Sequence, residues 1–417
     1  MKNGTEANGW EQRKIWNCFD IVNGATPASG TEHFWDGDVP WVGPADLGKL
    51  TSRIINHGER NLTRAGYKSC GTTLVPEGTI ILSARAPIGH VAIAGNELCF
   101  NQGCKGLVPN EDIVGDFAYW LTLAQKVRLE AAGQGTTFVE LSRSKLKDID
   151  FLLPSIPEQR AIASFLDDKC AKIDKAVRIK EAQIKLLRER RQVLIQQAVT
   201  RGLNPYATMK DSGIDWIGEI PAHWEVRRNF ALFREIKQLG NADLPVLSVS
   251  IHSGVSKEEL SEEENIRSIV KIENRSSYKE VLPGDIAYNM MRAWQGGIGA
   301  VHTHGMVSPA YVVARPVGYL AGDYFELLYR TPNFIRQMDA GSKGIADFRK
   351  RLYWDDFRDL MTTLPPLAEQ KEIIQYSEQI SEKVSHAISI KQEQIAKLKE
   401  YKTSLINAAV TGKIKVI

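Results

Sequence analysis

The feature that most constrains this chain is an uninterrupted helical stretch from Ile156 to Leu203. The stretch has no proline after Pro157 and no glycine before Gly202, and most of its residues are good helix formers. A helix of about 40 residues is roughly 60 Å long at about 1.5 Å per residue. Because globular helices average only about 11–12 residues, a helix of this length needs a long partner.

A second copy of the stretch supplies that partner. Residues 367–414 align with the first copy without a gap, at an offset of 211 positions. Glu158 falls on Glu369 and Gln159 on Gln370, and about a third of the aligned positions are identical. We therefore expect the two helices to pair with each other.

An apolar seam runs along both copies in alternating steps of four and three. Its members are Ile173, Val177, Ile184, Leu187 and Leu194 in the first copy, and Val384, Ile388, Ile395, Leu398 and Leu405 in the second. A mean step of 3.5 residues is the period of a left-handed coiled coil. The pattern predicts an antiparallel coiled coil with an internal pseudo-two-fold repeat.

Cations occupy matching positions of the seam, Lys180 with Lys391 and Arg191 with Lys402. We expect their stems to be buried and their charges to reach the surface. The expected partners are nearby glutamates, namely Glu181, Glu189 and Glu400. A role for these cations in fixing the helix register is a hypothesis.

Length and composition set broad limits. A chain of 417 residues with 43% hydrophobic residues predicts two to four globular domains. The five cysteines form no CxxC pair, which favours a reducing cytoplasm. The first residues are too polar for a signal peptide, and no apolar run is long enough to span a membrane. The net charge of +3 permits nucleic-acid binding without arguing for it.

The remaining sequence predicts an α+β fold with two β-rich heads separated by the long helices. We expect domains at 1–155 and 204–365, and helical spacers at 156–203 and 366–417. In each head a Pro-Gly turn, an apolar run and a polar loop precede another strand.

One helix is expected at Asp116–Ala131, with Val127 on its apolar face, and its counterpart at Asp323–Met338. The heads share this layout but little sequence, whereas the helices share sequence. This indicates that the heads select different targets.

Several motifs resemble those of a known family. They are NGATP (Asn23–Pro27), PEGTIILSARAPIG (Pro76–Gly89), NQG (Asn101–Gly103), GIDWIGEIPAHWEV (Gly213–Val226), SPAY (Ser308–Tyr311), and LPSIPEQRAI and LPPLAEQKEI at the two helix entries. On these motifs, essentially the whole chain resembles the specificity subunits of type I restriction-modification systems.

The resemblance implies a division of labour. Each head would be a target-recognition domain that reads one half of a bipartite double-stranded DNA site. The coiled coil would space the heads and dock two methyltransferase subunits, and motor-nuclease subunits would join for restriction. S-adenosylmethionine would bind the methyltransferase, and ATP and Mg would bind the motor-nuclease. From the cysteines and the hydropathy described above, we expect a cytoplasmic protein without a membrane partner.

The sequence lacks several common catalytic motifs. There is no GxxxxGK[ST] phosphate loop, no HExxH and no NPPY-type methyltransferase motif. Asn204-Pro205-Tyr206 lacks the second proline of that motif. We therefore expect no catalytic or metal site in this chain.

Three groups of residues are candidates for DNA contact. The first lies in the polar loop after each apolar strand: Ser83 and Arg85 in the first head, and Asn289, Arg292, Trp294 and Gln295 in the second. Arginine suits guanine, and asparagine or glutamine suits adenine.

The second group lies in the loop after each domain helix: Gln134 and Thr136, and then Lys343, Arg349, Lys350 and Arg351, whose charges suit phosphates. The third and weaker group is Asn101, Gln102 and Lys105. For all three groups the alternative is an ordinary solvated loop, a solvated helix face or a structural hydrogen bond.

Other functions remain open at this point. The chain is also compatible with a non-catalytic two-headed scaffold that binds no DNA, or with the specificity subunit of a related multi-subunit restriction or methylation system. A self-contained nuclease is disfavoured by the missing carboxylate, metal and nucleotide motifs.

Overall fold

The computed structural model describes residues 9–133, 140–214, 217–241, 243–258, 275–344 and 350–416. The chain divides into two compact units: unit 1 is Met1–Glu181 with Gln392–Ile417, and unit 2 is Ala182–Lys391. Each unit contains one globular head and parts of both long helices. Head 1 denotes residues 9–155, and head 2 denotes residues 204–366.

Head 1 is mixed strand and helix. Its strands are β1 Glu11–Lys14, β2 Phe19–Asn23, β3 Trp35–Val39, β4 Trp41–Val42, β5 Ile54–Ile55, β6 Ile80–Ser83, β7 Val91–Ala94, β8 Cys99–Phe100, β9 Cys104–Pro109 and β10 Asp150–Leu153. Its helices are α1 Ile15–Cys18, α2 Pro44–Lys49, α3 Arg64–Ser69, α4 Gly115–Ala124, α5 Lys126–Gly133 and α6 Arg143–Lys147. The long helix α7 (Ile156–Arg201) follows.

Head 2 has the same mixed character. Its strands are β11 Met209–Asp211, β12 Glu219–Pro221, β13 Glu225–Arg228, β14 Phe233–Ile236, β15 Val246–Leu247, β16 Val249–Ser250, β17 Gly254–Val255, β18 Lys279–Val281, β19 Ile286–Asn289, β20 Ile298–Ala300, β21 Gly305–Val307, β22 Tyr311–Pro316 and β23 Met361–Leu364. Its helices are α8 Asn229–Leu232, α9 Gly322–Tyr329, α10 Pro332–Gly341 and α11 Trp354–Arg358, followed by the long helix α12 (Leu367–Val410).

The two heads share a sheet order that the sequence did not reveal. Head 1 has the order β2-β9-β6-β7 and head 2 the order β14-β22-β19-β20. In each head, the strand just before this sheet in the chain pairs antiparallel with the strand that leads into the long helix. In β1 and β10, Glu11 faces Leu153, and in β13 and β23, Glu225 faces Leu364. The expected α+β fold with two heads and two long helices is confirmed, and the repeat extends to strand pairing.

The heads differ at the margins of the shared sheet. In head 1, β5 adds to β7 in parallel, and β4 pairs with β8. In head 2, β15, β21 and β18 form a separate three-stranded sheet, and β16 pairs with β17. These additions lie outside the four strands that carry the candidate loops.

Each head's core includes residues of both long helices. In unit 1, Phe117 packs in one cluster with Leu166 of α7 and with Ala409 and Val410 of α12. In unit 2, Trp224 belongs to a cluster that includes residues near the end of α7 and near the start of α12, Val199 and Ile373. Burial of such apolar surface stabilises each unit at roughly 25 cal/mol per Å².

The helix pairing within each unit is antiparallel. In unit 1, Asp174 contacts Lys402 and Lys180 contacts Gln394. Residue numbers therefore rise along one helix as they fall along the other. Five predicted seam residues are buried, namely Ile173, Val177, Ile184, Val384 and Leu405. The other five are half-buried, namely Leu187, Leu194, Ile388, Ile395 and Leu398.

The prediction of one continuous domain helix per head was wrong. In head 2, α9 ends at Tyr329 and α10 begins at Pro332, because proline lacks an N–H and disfavours helix in the preceding residue. Thr331 caps α10 by accepting from the Phe334 N–H at 3.3 Å. In head 1 the break falls at Gln125, and Val127 is 75% exposed rather than buried.

Candidate nucleic-acid interface

In each head, the same two backbone hydrogen bonds join three loops, and we call this pair of bonds the loop frame. In head 1, the Ala84 N–H donates to Gly103 O at 2.7 Å, and the Leu141 N–H donates to Ala84 O at 2.8 Å. Head 2 repeats both bonds: Met290 N–H to Ala310 O at 3.4 Å, and Leu352 N–H to Met290 O at 3.0 Å. The loops predicted as the first and second groups of candidates are therefore neighbours in each head.

Ser83 shapes its loop from the inside. Its hydroxyl donates to Pro87 O at 2.8 Å and accepts from the His90 N–H at 2.9 Å. The residue is fully buried at the end of β6. Ser83 was predicted as a DNA contact, but here both hydrogen-bonding functions serve the loop, so it positions Arg85 rather than facing a ligand.

The loops of head 1 carry three charged side chains that influence one another. Arg85 Nε donates to Glu140 Oε2 at 3.1 Å, and the arginine side chain is half exposed. Lys105 is only 7% exposed. Burial lowers the pKa of the Lys105 ammonium, an effect that Glu140 opposes and Arg85 adds to. Glu140 was not predicted, because a single acid gives no sequence signal.

Asn101 and Gln102 meet a residue that the sequence analysis did not select. Asn101 accepts from the Gly103 N–H at 2.6 Å and donates to Thr26 Oγ1 at 2.8 Å, so it serves the turn, as the alternative interpretation held. The exposed Gln102 contacts the Thr26 hydroxyl as well. Thr26 lies in the NGATP motif, and that motif was the available signal for it.

The first loop of head 2 is a compact turn. Asn289 accepts from the Met291 N–H at 3.0 Å, and Trp294 Nε1 donates to Met291 O at 3.0 Å. Arg292 is exposed and donates to Gln295 Oε1 at 2.8 Å. An arginine hydrogen-bonded to a glutamine amide presents donors suited to a base edge or a phosphate.

The second loop of head 2 is more neutral than its sequence suggested. Lys343 Nζ lies 2.8 Å from Asp356 Oδ1, and this carboxylate raises the pKa of Lys343. Lys350 pairs with Asp339 at 2.7 Å and lies 5.0 Å from the Trp294 ring centroid. The backbones of Lys343 and Arg351 form a bridge. Gln134, Thr136 and Arg349 lie outside the described residues.

The Glu-Gln pair at each helix entry ties the helix to its head. Gln159 accepts from the Val114 N–H at 2.8 Å and donates to Pro154 O at 3.0 Å. Gln370 repeats this with the Ala321 N–H at 3.0 Å and Pro365 O at 2.9 Å.

The glutamates of these pairs bind matching tryptophans. Trp10 Nε1 donates to Glu158 at 3.4 Å, and Trp224 Nε1 donates to Glu369 at 2.9 Å. The most specific sequence motif therefore sets how each helix leaves its head.

The predicted partners of the seam cations were wrong. Lys402 Nζ lies 2.7 Å from both carboxylate oxygens of Asp174, across the seam. Lys180 Nζ donates to Gln394 Oε1 at 2.7 Å. Both contacts join the helices to each other, and neither involves one of the expected glutamates.

Within the described ranges, no group of three or more His, Cys, Asp or Glu is placed to hold a metal ion. No helix there is long and apolar enough to cross a membrane.

A family model matches the first part of the chain. Residues 7–186 match the family described as "Type I restriction modification DNA specificity domain". This match and the curated relatives point to one class, the specificity subunits of type I restriction-modification systems.

Particular relatives are type I specificity subunits. The chain is 34% identical over 222 residues to the MjaIX specificity subunit of Methanocaldococcus jannaschii, covering 52% of this chain and 50% of that one. It is 26% identical over 151 residues to the HindI specificity subunit of Haemophilus influenzae, covering 35% of this chain and 32% of that one. The chain thus spans about half the length, or less, of these curated relatives.

Solved structures share the fold along the whole chain. One belongs to a study of "complex assembly" of "the type I R-M system"; its TM-score is 0.66 at 15% identity, covering 99% of this chain and 100% of that one. The HsdS subunit from Thermoanaerobacter tengcongensis gives 0.55 at 15% identity, covering 98% of each. At these identities the likeness concerns the fold.

Proposed function

We propose that this chain is the DNA sequence-specificity subunit of a type I restriction-modification complex. Head 1 and head 2 are its two target-recognition domains, each reading one half of a bipartite duplex site. One observation carries the proposal: identical backbone frames hold chemically different loop side chains in the two heads. Such an arrangement suits two readers of unlike sequences on one scaffold.

The chain itself contributes recognition and spacing rather than chemistry. The paired parts of α7 and α12 set the distance between half-sites and dock two methyltransferase subunits, which bring S-adenosylmethionine. Motor-nuclease subunits with ATP and Mg join when the site is unmodified. This assignment rests on the family match over residues 7–186 and on the missing catalytic motifs.

Whole-genome methylation mapping tests the proposal. The chain is co-expressed with the methyltransferase encoded beside it, in a host that lacks other methylation. The expected result is methylated adenine within a bipartite sequence, and none when the chain is omitted. Methylation that occurs equally without the chain would contradict the proposal, and so would methylation by the rigorously purified chain alone.

A further inference from the structure

Two arginines on the first long helix face a groove within unit 2. Arg188 and Arg191 are three residues apart on α7, so they share a face of the helix. Neither makes a hydrogen bond or ion pair with any residue in the described ranges. They line a groove of about 400 Å³ whose other wall is the junction of α9 and α10.

The acidic groups of the groove are already engaged. Glu326 accepts from Arg330 Nη1 at 3.0 Å and from the Ala300 N–H at 2.8 Å. Glu189 lies 3.9 Å from Lys185 on the same helix. The two free guanidinium groups therefore give the groove a net positive charge.

Unit 1 neutralises the equivalent position. At the offset of 211 residues, Arg191 corresponds to Lys402, which Asp174 holds at 2.7 Å. Asp174 corresponds to Ser385 on α12, which carries no charge. The acid that would pair with Arg191 is therefore absent from the second copy.

The wall of the groove that the head contributes also differs between the two units. Counting from the first residues of α4 and α9, Glu326 and Arg330 correspond to Tyr119 and Leu123. Tyr119 and Leu123 thus stand in unit 1 where unit 2 has an acid and a base. The internal repeat is broken here in charge while it is kept in backbone.

The groove's chemistry fits a phosphate. Guanidinium groups bind phosphate through two parallel N–H donors. Pro332, which opens the ten-residue helix α10, also lines the groove, and the positive end of the helix dipole favours an anion there. The free anion-binding capacity is that of two arginines.

The difference in charge between the two units indicates which ligand the groove binds. A partner present in two copies would meet equivalent surfaces in both units, whereas the cation at Arg191 is free among the described residues of unit 2 and its counterpart Lys402 is paired in unit 1. In the proposed function, on which this inference rests, the duplex is the polyanion present once. We propose that Arg188 and Arg191 bind backbone phosphates of the target duplex without regard to sequence, in addition to the reading loops.

The test is the salt dependence of duplex binding by the chain in complex with its methyltransferase partner. Each phosphate contact contributes about 0.9 to the slope of log K against log salt. The double variant Arg188→Gln/Arg191→Gln should reduce the slope by up to about 2. It should weaken target and unrelated duplexes alike, and the mapped methylation sequence should stay unchanged.

A matched control lies on the same helix. Lys175 and Arg178 have the same spacing, are exposed and have no partner among the described residues. Lys175→Gln/Arg178→Gln removes the same charge outside the groove and should leave the slope nearly unchanged. An equal effect of both double variants would overturn the proposal, because general charge would then explain binding.

A single substitution on α12 tests the same groove and keeps both arginines. Ser385→Asp places a carboxylate where Asp174 stands in the other copy, and it should reduce the slope by about 1 by engaging Arg191. An unchanged slope in both this variant and the arginine variant would overturn the proposal.

Two further outcomes would show that the groove binds a different ligand, and each would overturn the proposal. One is a loss of methyltransferase affinity with the DNA slope intact. The other is arginine-dependent binding of ATP or inorganic phosphate with the DNA slope intact. A wild-type complex that methylates no defined sequence would instead defeat the proposed function itself.

Discussion

Head 1 and head 2 use the same loop frame with different charges around it. In head 1, Arg85 faces Glu140 and the two charges cancel. In head 2, the positions next to the matching frame residues hold Met291 and Arg351, so a cation stands where head 1 has its acid. Because the frame consists of backbone hydrogen bonds, it does not depend on these side chains.

The comparison separates what folds a head from what it selects. Backbone bonds and buried residues such as Ser83 keep the loops in place, and the exposed side chains are then free to differ. The following predictions test that separation, from the largest expected effect to the smallest.

Exchanging residues 1–155 for the corresponding segment of a relative should replace one half of the target sequence completely and leave the other half intact. The reason is that each head carries its own frame and its own loops. Methylation mapping of the chimaera gives the answer. If both halves changed, the heads would be coupled and the modular interpretation would be wrong.

Lengthening both helices by one heptad should widen the gap between half-sites. Insertion immediately after Lys180 and immediately before Gln394 keeps facing positions opposed, because these two side chains bond across the seam. Seven residues add about 10 Å, close to three base pairs at about 3.4 Å each. An active variant that kept the original gap would show that the helices do not set the spacing.

Replacing the buried helix-entry glutamines should cost stability in both units. Gln159→Leu leaves the Val114 N–H without its partner, and Gln370→Leu does the same to Ala321. Each should lower the free energy of unfolding by about 1–3 kcal/mol, measured by chemical denaturation. The exposed Gln375→Leu is the control, expected within about 0.5 kcal/mol. A cost in only one unit would contradict the equivalence of the entries.

Arg292→Ala should relax sequence choice at one or two positions of the second half-site, at about 1–3 kcal/mol of discrimination. Binding of single-base variants of the target measures this. Arg227→Ala is the control, since Arg227 is exposed on β13 and pairs with Glu225 at 2.8 Å. Equal weakening on every sequence would make Arg292 a phosphate contact.

Glu140→Gln should have the smallest effect, an intrinsic stability loss within about 1 kcal/mol for a surface ion pair. It should also lower the pKa of Lys105 further, because Glu140 counteracts the effect of burial. A folded-state pKa below the unfolded value means that stability rises with pH between the two. Unfolding free energies measured from neutral to alkaline pH should therefore climb more steeply in the variant, and an unchanged profile would contradict the Lys105–Glu140 coupling.

The sequence predicted elements whose signal is local and repeated. Seam residues such as Ile173 and Val384 recur with a fixed period, and both are buried. The break at Thr331-Pro332 was also local, since a capping residue before proline marks a helix start. It was missed because the apolar pattern continues across it.

The long-range features were beyond local patterns. Whether Ser83 points inward depends on where Pro87 and His90 fold back. The Arg85–Glu140 pair joins residues 55 positions apart. Candidate loops could therefore be named from residue types, but which of their side chains stay exposed is decided by tertiary closure.

The incorporation of Ala409 and Val410 into the core of head 1 has a consequence for synthesis. Their cluster partners Ile162 and Leu166 leave the ribosome about 240 residues earlier. At about 5–20 residues per second, these apolar side chains wait roughly 10–50 s for their cover. Head 1 is thus made first yet completed last, and in the interval part of its apolar surface stays uncovered.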